Sequence, residues 1–227
     1  MKVGKLIVIE GVDSSGKRTQ SELLVKRLTK DGLAVAVADF PQYYDSFYGN
    51  LIGRYLRGEF GEVNEISPYL AALLYAGDRL EARDTIAKWL KEGKIIVANR
   101  YATSNLAFMG AKLKDRKKQD DFMEWVSQLE YNINKIPKPD IVIFLNVPVS
   151  ITQDWIKNKE KRRYLGNKTK DIHEKDISYL AKVEQIYQRL VQDNDFWIQV
   201  DCVEKNKVLS IQEISEKVYS TVKKVLI

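Results

Sequence analysis

The sequence predicts an α/β fold: a doubly wound, five-stranded parallel sheet flanked by helices. Three observations carry this. Five short apolar runs punctuate the 227 residues, segments with helical spacing lie between them, and the runs are continuously apolar, as strands covered on both faces must be. Leu6–Ile9 is the first strand and leads directly into the segment GVDSSGKRT at 11–19. Leu23, Leu24 and Leu28 then recur at helical spacing within Thr19–Lys30, and Gly32 stops that helix. Val35–Ala38 is the second strand. Ser67-Pro68 opens a long helical pattern, with proline suited to the first turn, through Leu70, Leu73, Leu74, Leu80, Ile86 and Trp89 to Gly93. Asp84 is placed to cap a second segment inside it. Ile95–Ala98 and Ile141–Leu145 are the third and fourth strands. Helical patterns over Ile151–Ile156 and Ile177–Val191 precede the fifth strand, Phe196–Val200. Ile211, Ile214, Val218, Val222 and Val225 mark a C-terminal amphipathic helix. No internal repeat is visible, and residues 1–227 read as one domain.

Bulk composition narrows the class. One cysteine, Cys202, excludes an intramolecular disulfide and fits a reducing compartment. The first residues enter a strand at once, without the apolar core and cleavage site of a signal peptide, and no apolar run approaches the ~18–20 residues of a membrane span. A cytoplasmic protein without membrane partners is expected. Net charge is +6 with pI near 9.1, which suits small polyanions. No nucleic-acid module signature or basic-aromatic array is present, so nucleic acid is not expected as a partner.

The segment 11–19 carries the chemistry. Gly11, Gly16 and Lys17 fit the phosphate-loop template G-x-x-x-x-G-K-[ST], whose last position here is Arg18 instead of a hydroxyl residue. Glycines let backbone N–H groups of Val12, Asp13, Ser14 and Ser15 converge on phosphate oxygens. Lys17 adds a point charge, and the helix beginning near Thr19 presents its positive end. A nucleoside triphosphate is the expected ligand.

Further candidates lie downstream. Tyr75 and Arg79 are four apart and share a helix face with an apolar surround expected from Leu73, Leu74 and Leu80. Either they stack and hydrogen-bond a base, or they are a half-buried tyrosine beside a surface arginine. Asn99-Arg100-Tyr101 follows the third strand at its C-terminal end, where open α/β sheets bind ligands. Arg100 is there either a phosphate clamp or a member of a surface ion pair. Residues 157–175, KNKEKRRYLGNKTKDIHEK, break the pattern. They read as a solvated charged helix end or as a mobile lid over phosphates. In the second case Arg162 or Arg163 would join Lys17 and Arg100 around a transferring phosphoryl group. His173 is the one histidine, and with one cysteine this excludes multi-histidine zinc sites and thiolate clusters. It reads as a surface or substrate-edge group.

The order of these motifs resembles the thymidylate kinase family, P-loop nucleoside monophosphate kinases, over nearly the whole chain. The resemblance rests on Ile9-Glu10-Gly11-Val12-Asp13 with Gly16-Lys17, on Phe40-Pro41, on Leu73-Leu74-Tyr75 with Asp78-Arg79, on Arg100-Tyr101 with Ser104, Ala107-Phe108 and Gly110-Ala111-Lys112, and on Asp171 with Glu174. It implies transfer of the γ-phosphate of ATP to dTMP, giving dTDP and ADP for dTTP synthesis, with Mg2+, in a homodimer. It further implies that Tyr75 stacks on thymine and Arg79 bonds its carbonyl edge. Arg100 would grip phosphates, Asp13 reach the sugar near its 3′-hydroxyl, and Phe40, Ser104 and Asn105 lie at the acceptor. Phe108 would crowd a ribose 2′-hydroxyl, and His173 and Glu174 would sit in the lid close to the monophosphate. Ser14 stands where some members carry a transition-state arginine, so the chain resembles the type that carries it in the lid.

Four departures from the family bear on this. Arg18 has no acceptor and cannot coordinate a cation. Asn99 and Asn146 stand where acidic residues are usual, leaving Thr19, Glu10 and Asp13 as candidate magnesium partners, mainly through water. Gln42-Tyr43-Tyr44 lacks a phosphate-binding arginine, for which Arg54 is a distant substitute. Two other readings follow: a kinase with a different or broader acceptor, such as dUMP, or a nucleotide-binding protein without efficient catalysis.

Overall fold

The computed structural model describes residues 4–157, 163–166, 171–174, 176–205 and 207–226. Its sheet is built from β1 (Lys5–Glu10), β2 (Val35–Asp39), β3 (Ile95–Asn99), β4 (Ile141–Asn146) and β5 (Trp197–Asp201). All neighbours are parallel, in the order β2-β3-β1-β4-β5. The order places β1 at the centre, with Lys5 opposite Ile95 on one side and Ile7 opposite Ile141 on the other. Successive side chains of a strand point to opposite faces, and both faces of β1 are buried: Leu6, Ile7, Val8 and Ile9 are each 0% exposed.

One face carries Leu6, Val8, Ile96, Ala98, Val142 and Phe144. It is covered by α3 (Pro68–Lys91), α4 (Ala102–Gly110) and α7 (Ile177–Asp193). The other carries Ile7, Ile9, Val97, Ile143 and Leu145, covered by Leu24 and Leu28 of α1 (Lys17–Lys30) and by Ile214, Val218 and Val222 of α8 (Ile211–Leu226). Burying each such branched side chain contributes roughly 1.5–3 kcal/mol before the cost of ordering it. The remaining elements are α2 (Phe47–Leu56), α5 (Arg116–Ser127), a π-helical turn at Gln128–Ile133, α6 (Val149–Lys157), a 3-10 turn at Arg163–Leu165, and a short antiparallel pair, β6 (Val203–Glu204) and β7 (Lys207–Val208). No helix among the described residues is long and apolar enough to cross a membrane.

The structure corrects the sequence reading in three places. First, α3 runs unbroken from Pro68 to Lys91, and Asp84 caps nothing: its exposed side chain pairs with Arg83 at 2.9 Å. Second, of Leu73, Leu74 and Leu80 only Leu74 packs against the core beside Tyr75. Leu73 and Leu80 are 42% and 38% exposed, while the buried face of α3 carries Ala71, Ala72, Ala76, Asp78 and Arg79. The small residues allow close approach of neighbouring helices, and Asp78 and Arg79 have buried partners that hold them inward. Third, β5 begins at Trp197, one residue late, because Phe196 is turned outward and Trp197 is buried. Within 157–175 the 3-10 turn and the turn at 171–174 are described; Arg162 lies outside the described residues.

Candidate active site

The carboxyl end of β1 opens directly into the loop 11–16, and α1 starts at Lys17. The loop curls tightly. A Cβ at Gly11 would sit 2.5 Å from Ser15 Oγ, and Gly16 has φ 86°, a left-handed conformation that glycine adopts without strain. Ser14, with φ 64°, adopts the same region despite its side chain, and its Oγ is buried without a hydrogen-bond partner among the described residues. Ser15 and Val12 are buried. Lys17 is buried too, and its Nζ donates to the carbonyls of Val12 at 2.6 Å and Gly11 at 3.1 Å. The cation is thereby held over the concave side of the loop. Arg18 points away. Its side chain is 80% exposed and pairs with Glu22 one turn on, at 3.1 Å. Thr19 is exposed on the same turn.

Beside this loop lies a pocket. Phe40, Tyr75, Phe108 and His173 give it rings; Asp13, Arg79, Arg100, Ser104 and Asn105 give it polar groups. These nine residues expected at the acceptor line one concavity, although they come from the loop, the ends of β2 and β3, α3, α4 and the segment before α7; Glu174, expected close to the monophosphate, is buried and does not line it. Arg54 is not brought there: it pairs with Glu59 at 2.7 Å on the surface.

Arg100 is the junction between loop and pocket. It directly follows β3, with φ 64°, a strained conformation for a side-chain-bearing residue. Its Nη2 donates to Asp13 Oδ1 at 2.6 Å, its Nη1 to Ser104 Oγ at 3.1 Å, and its guanidinium lies 4.6 Å over the Phe108 ring. Burial opposes its charge, but Asp13 and Glu10 outweigh that, so its pKa lies above the ordinary value. It is no surface ion pair.

Glu10, 0% exposed, holds this arrangement together. It accepts from Tyr101 N at 3.1 Å, Thr103 Oγ1 at 2.6 Å, Ser104 Oγ at 2.7 Å and Tyr187 Oη at 2.7 Å. A buried carboxylate needs such donors, and these tie the end of β1 to α4 and α7. Both its oxygens are thus engaged with protein. Ser104 is likewise occupied between Glu10 and Arg100, which makes it an orienting group for the arginine.

Arg79 is 2% exposed, so the surface-arginine reading fails. Its Nε donates to Glu130 Oε1 at 3.1 Å, and its Nη2 bonds the same oxygen. Tyr75 meets Tyr55 edge-on at 6.3 Å. His173 is buried, not on the surface. Tyr55 Oη lies 3.0 Å from its Nε2, Phe108 stacks on it at 5.7 Å, and burial pushes its pKa down to about 3. It is a neutral ring at physiological pH.

Further pocket residues escaped the sequence reading, two tyrosines among them. Tyr43 and Tyr164 stack at 4.0 Å with an interplanar angle of 8°, and both line the pocket. Arg57 Nη1 donates to Tyr164 O at 2.7 Å, and Tyr164 Oη to Asp171 Oδ2 at 3.2 Å. Arg163, exposed, sits 5.3 Å over the Tyr44 ring. Gln42, in the segment that lacks the arginine, donates to Asp78 Oδ2 through its backbone at 3.1 Å and so fixes the Phe40-Pro41 loop to α3. The doubled tyrosine after it was the only available signal.

Among the described residues no cluster of three or more acidic, histidine or cysteine groups could hold a metal. Beside the loop, Asn99 donates to Asp39 at 2.7 Å and Asn146 to Asp201 at 2.7 Å. The Oδ1 atoms of both asparagines are buried without a hydrogen-bond partner among the described residues. With Glu10 occupied, Asp13 ion-paired and Arg18 turned away, the donor set does not form a protein-built cage. It fits a cation carried by a polyphosphate with its own water shell.

Comparison with known proteins agrees with this geometry. A family model described as thymidylate kinase matches residues 9–214. A thymidylate kinase of Plasmodium falciparum is 31% identical over 224 residues, covering 99% of this chain and 92% of that protein. One from Mycobacterium tuberculosis is 30% identical over 185 residues, covering 82% and 85%. Among solved structures, a thymidylate kinase from Candida albicans superposes with a TM-score of 0.73 at 23% identity, covering 99% of this chain and 94% of that one.

Proposed function

We infer that this chain, which belongs to the thymidylate kinase family, transfers the γ-phosphate of ATP to dTMP, giving dTDP and ADP. The observation that carries the reading is the Asp13–Arg100 pair at 2.6 Å. A loop built for a triphosphate and a pocket lined by aromatic rings and polar groups share one wall, and an arginine stands at the boundary where a phosphoryl group would pass.

In the reaction a phosphate oxygen of dTMP attacks the γ-phosphorus, the bond to the β-phosphate oxygen breaks, and ADP leaves. Charge stabilisation and positioning suffice for such a transfer. The loop amides of Gly11–Thr19 and Lys17 hold the triphosphate. Arg100, oriented by Ser104, grips the phosphates at the junction, and Asp13 faces the sugar. Tyr75 lies along the base, with Phe40 opposite, and Arg79 and Asn105 read the base edge. Phe108 crowds the sugar and favours deoxyribose; neutral His173 closes the pocket behind it. Arg162 or Arg163 would complete the cationic surround from the lid segment.

Mg2+ supplies further neutralisation of phosphate charge when bound. Thr19 and the Asn99 carboxamide would face its water shell, the phosphates serving as its main ligands. A homodimer is supported by the outward leucines of α3: Leu70, Leu73 and Leu80, with Phe47 at 70% exposure on α2, form an apolar surface suited to a second copy. The single cysteine fits a cytoplasmic location.

Chromatographic identification of products from ATP, Mg2+ and dTMP tests the reaction. Stoichiometric dTDP and ADP are expected. ADP with inorganic phosphate and no dTDP would sink the assignment.

A further inference from the structure

The π-helical turn at Gln128–Ile133 buries one residue, and that residue is a carboxylate, Glu130, 0% exposed. Single π turns inside helical segments recur at functional sites. A buried carboxylate needs compensation, and here both partners are pocket-lining residues. Arg79 gives it Nε and Nη2, and Asn105 Nδ2 donates to its Oε1 at 3.3 Å and to Ala72 O at 3.1 Å.

These bonds fix hydrogen-bond polarity. Arginine can only donate; with Nε and one Nη2 hydrogen committed to Glu130, Arg79 is fixed in place and has Nη1 and the second Nη2 hydrogen left to offer. With both Nδ2 hydrogens committed, the part of Asn105 left over is Oδ1, an acceptor. A flip of the Asn105 amide would set its oxygen against a carboxylate and a carbonyl, both acceptors. The pocket is therefore held in a donor-plus-acceptor state. A 4-oxo pyrimidine presents the complement, a carbonyl oxygen beside a ring N–H. A 4-amino pyrimidine presents the reverse.

We propose that Glu130 is a positioning residue that sets acceptor specificity: by fixing where Arg79 points and holding Asn105 with its oxygen as the free acceptor, it makes the site accept 4-oxo and reject 4-amino pyrimidine monophosphates. This rests on the kinase reading above. Glu130→Gln keeps the shape and removes the charge, so the oxygen shared by Arg79 and Asn105 holds them through neutral instead of charge-assisted hydrogen bonds and the orientation of Asn105 is less firmly fixed. Steady-state kinetics with dTMP, dUMP and dCMP test it. The dTMP-over-dCMP ratio of kcat/KM is expected to fall at least about tenfold, mostly through the KM for dTMP, since a mispaired buried polar group is what rejects the wrong base. The dTMP-over-dUMP ratio stays within about twofold, because those two bases present the same edge. ATP affinity by calorimetry stays unchanged and reports an intact fold. An unchanged dTMP-over-dCMP ratio alongside a lowered melting temperature would reduce Glu130 to a structural role and overturn the proposal. Should Glu130→Gln fail to fold, Glu130→Asp keeps the charge but withdraws the oxygen from Asn105, and the same ratio decides. A parent protein that phosphorylates none of the three would instead refute the kinase reading itself.

Discussion

Arg100 allows chemistry and backbone to be tested at one position. Its φ of 64° is left-handed, its Nη2 holds Asp13 at 2.6 Å, and it stands between loop and pocket. Arg100→Ala and Arg100→Gly both delete the guanidinium, so they differ mainly in backbone preference. A side-chain-bearing residue in the left-handed region costs about 1–2 kcal/mol. Glycine gives back roughly 0.4–1 kcal/mol through its freer unfolded chain. The net is about 1 kcal/mol in favour of Arg100→Gly, or about 2–4 °C in melting temperature for a chain of this size. Turnover falls at least about a hundredfold in both, the scale for losing one preorganised charge contact. Scanning fluorimetry and steady-state ADP release measure the two effects. A melting temperature for Arg100→Ala equal to or above that of Arg100→Gly would refute the strained backbone. Less than a tenfold loss of turnover in either would refute the phosphate-gripping role.

Two other predictions follow from single side chains. Arg18→Ala should leave the melting temperature within about 2 °C and the half-saturating Mg2+ concentration within about twofold, because an exposed i,i+4 pair is worth only about 0.3–0.5 kcal/mol and the side chain points away from the loop; a larger Mg2+ shift would place Arg18 at the metal. His173 has a pKa of about 3 folded against 6.5 unfolded, so its stabilising contribution is complete above pH 6.5 and is lost as pH falls toward 3. Between pH 7 and 5 this alone removes about 2 kcal/mol, and urea titrations of the parent should show that loss while His173→Gln shows a flatter dependence. Parallel curves would mean that the ring is not held neutral.

The sheet was legible because its strands are buried on both faces, which writes them as unbroken apolar runs such as Leu6–Ile9 and Ile141–Leu145. The phosphate loop was legible because glycine and lysine spacing is dictated by phosphate geometry. Less visible was anything decided by partners distant in sequence. Arg79 read more readily as a surface arginine, and Glu130, 51 residues away on an irregular turn without periodicity, holds it buried. Leu73 and Leu80 were read inward because leucine usually is. The inner face of α3 instead belongs to alanines and two partnered charged residues, Asp78 and Arg79. Tyr164 could not be linked to Tyr43 because no pattern connects residues on separate loops, and burial of His173 depends on Tyr55, Phe108 and Tyr179, which come from three separate helices.

The most direct test mixes the protein with ATP, Mg2+ and one nucleoside monophosphate at a time and follows ADP release. Strong stimulation by dTMP, with little from AMP or dCMP, is the expected result. No stimulation by dTMP, or equal stimulation by AMP, would contradict the assignment.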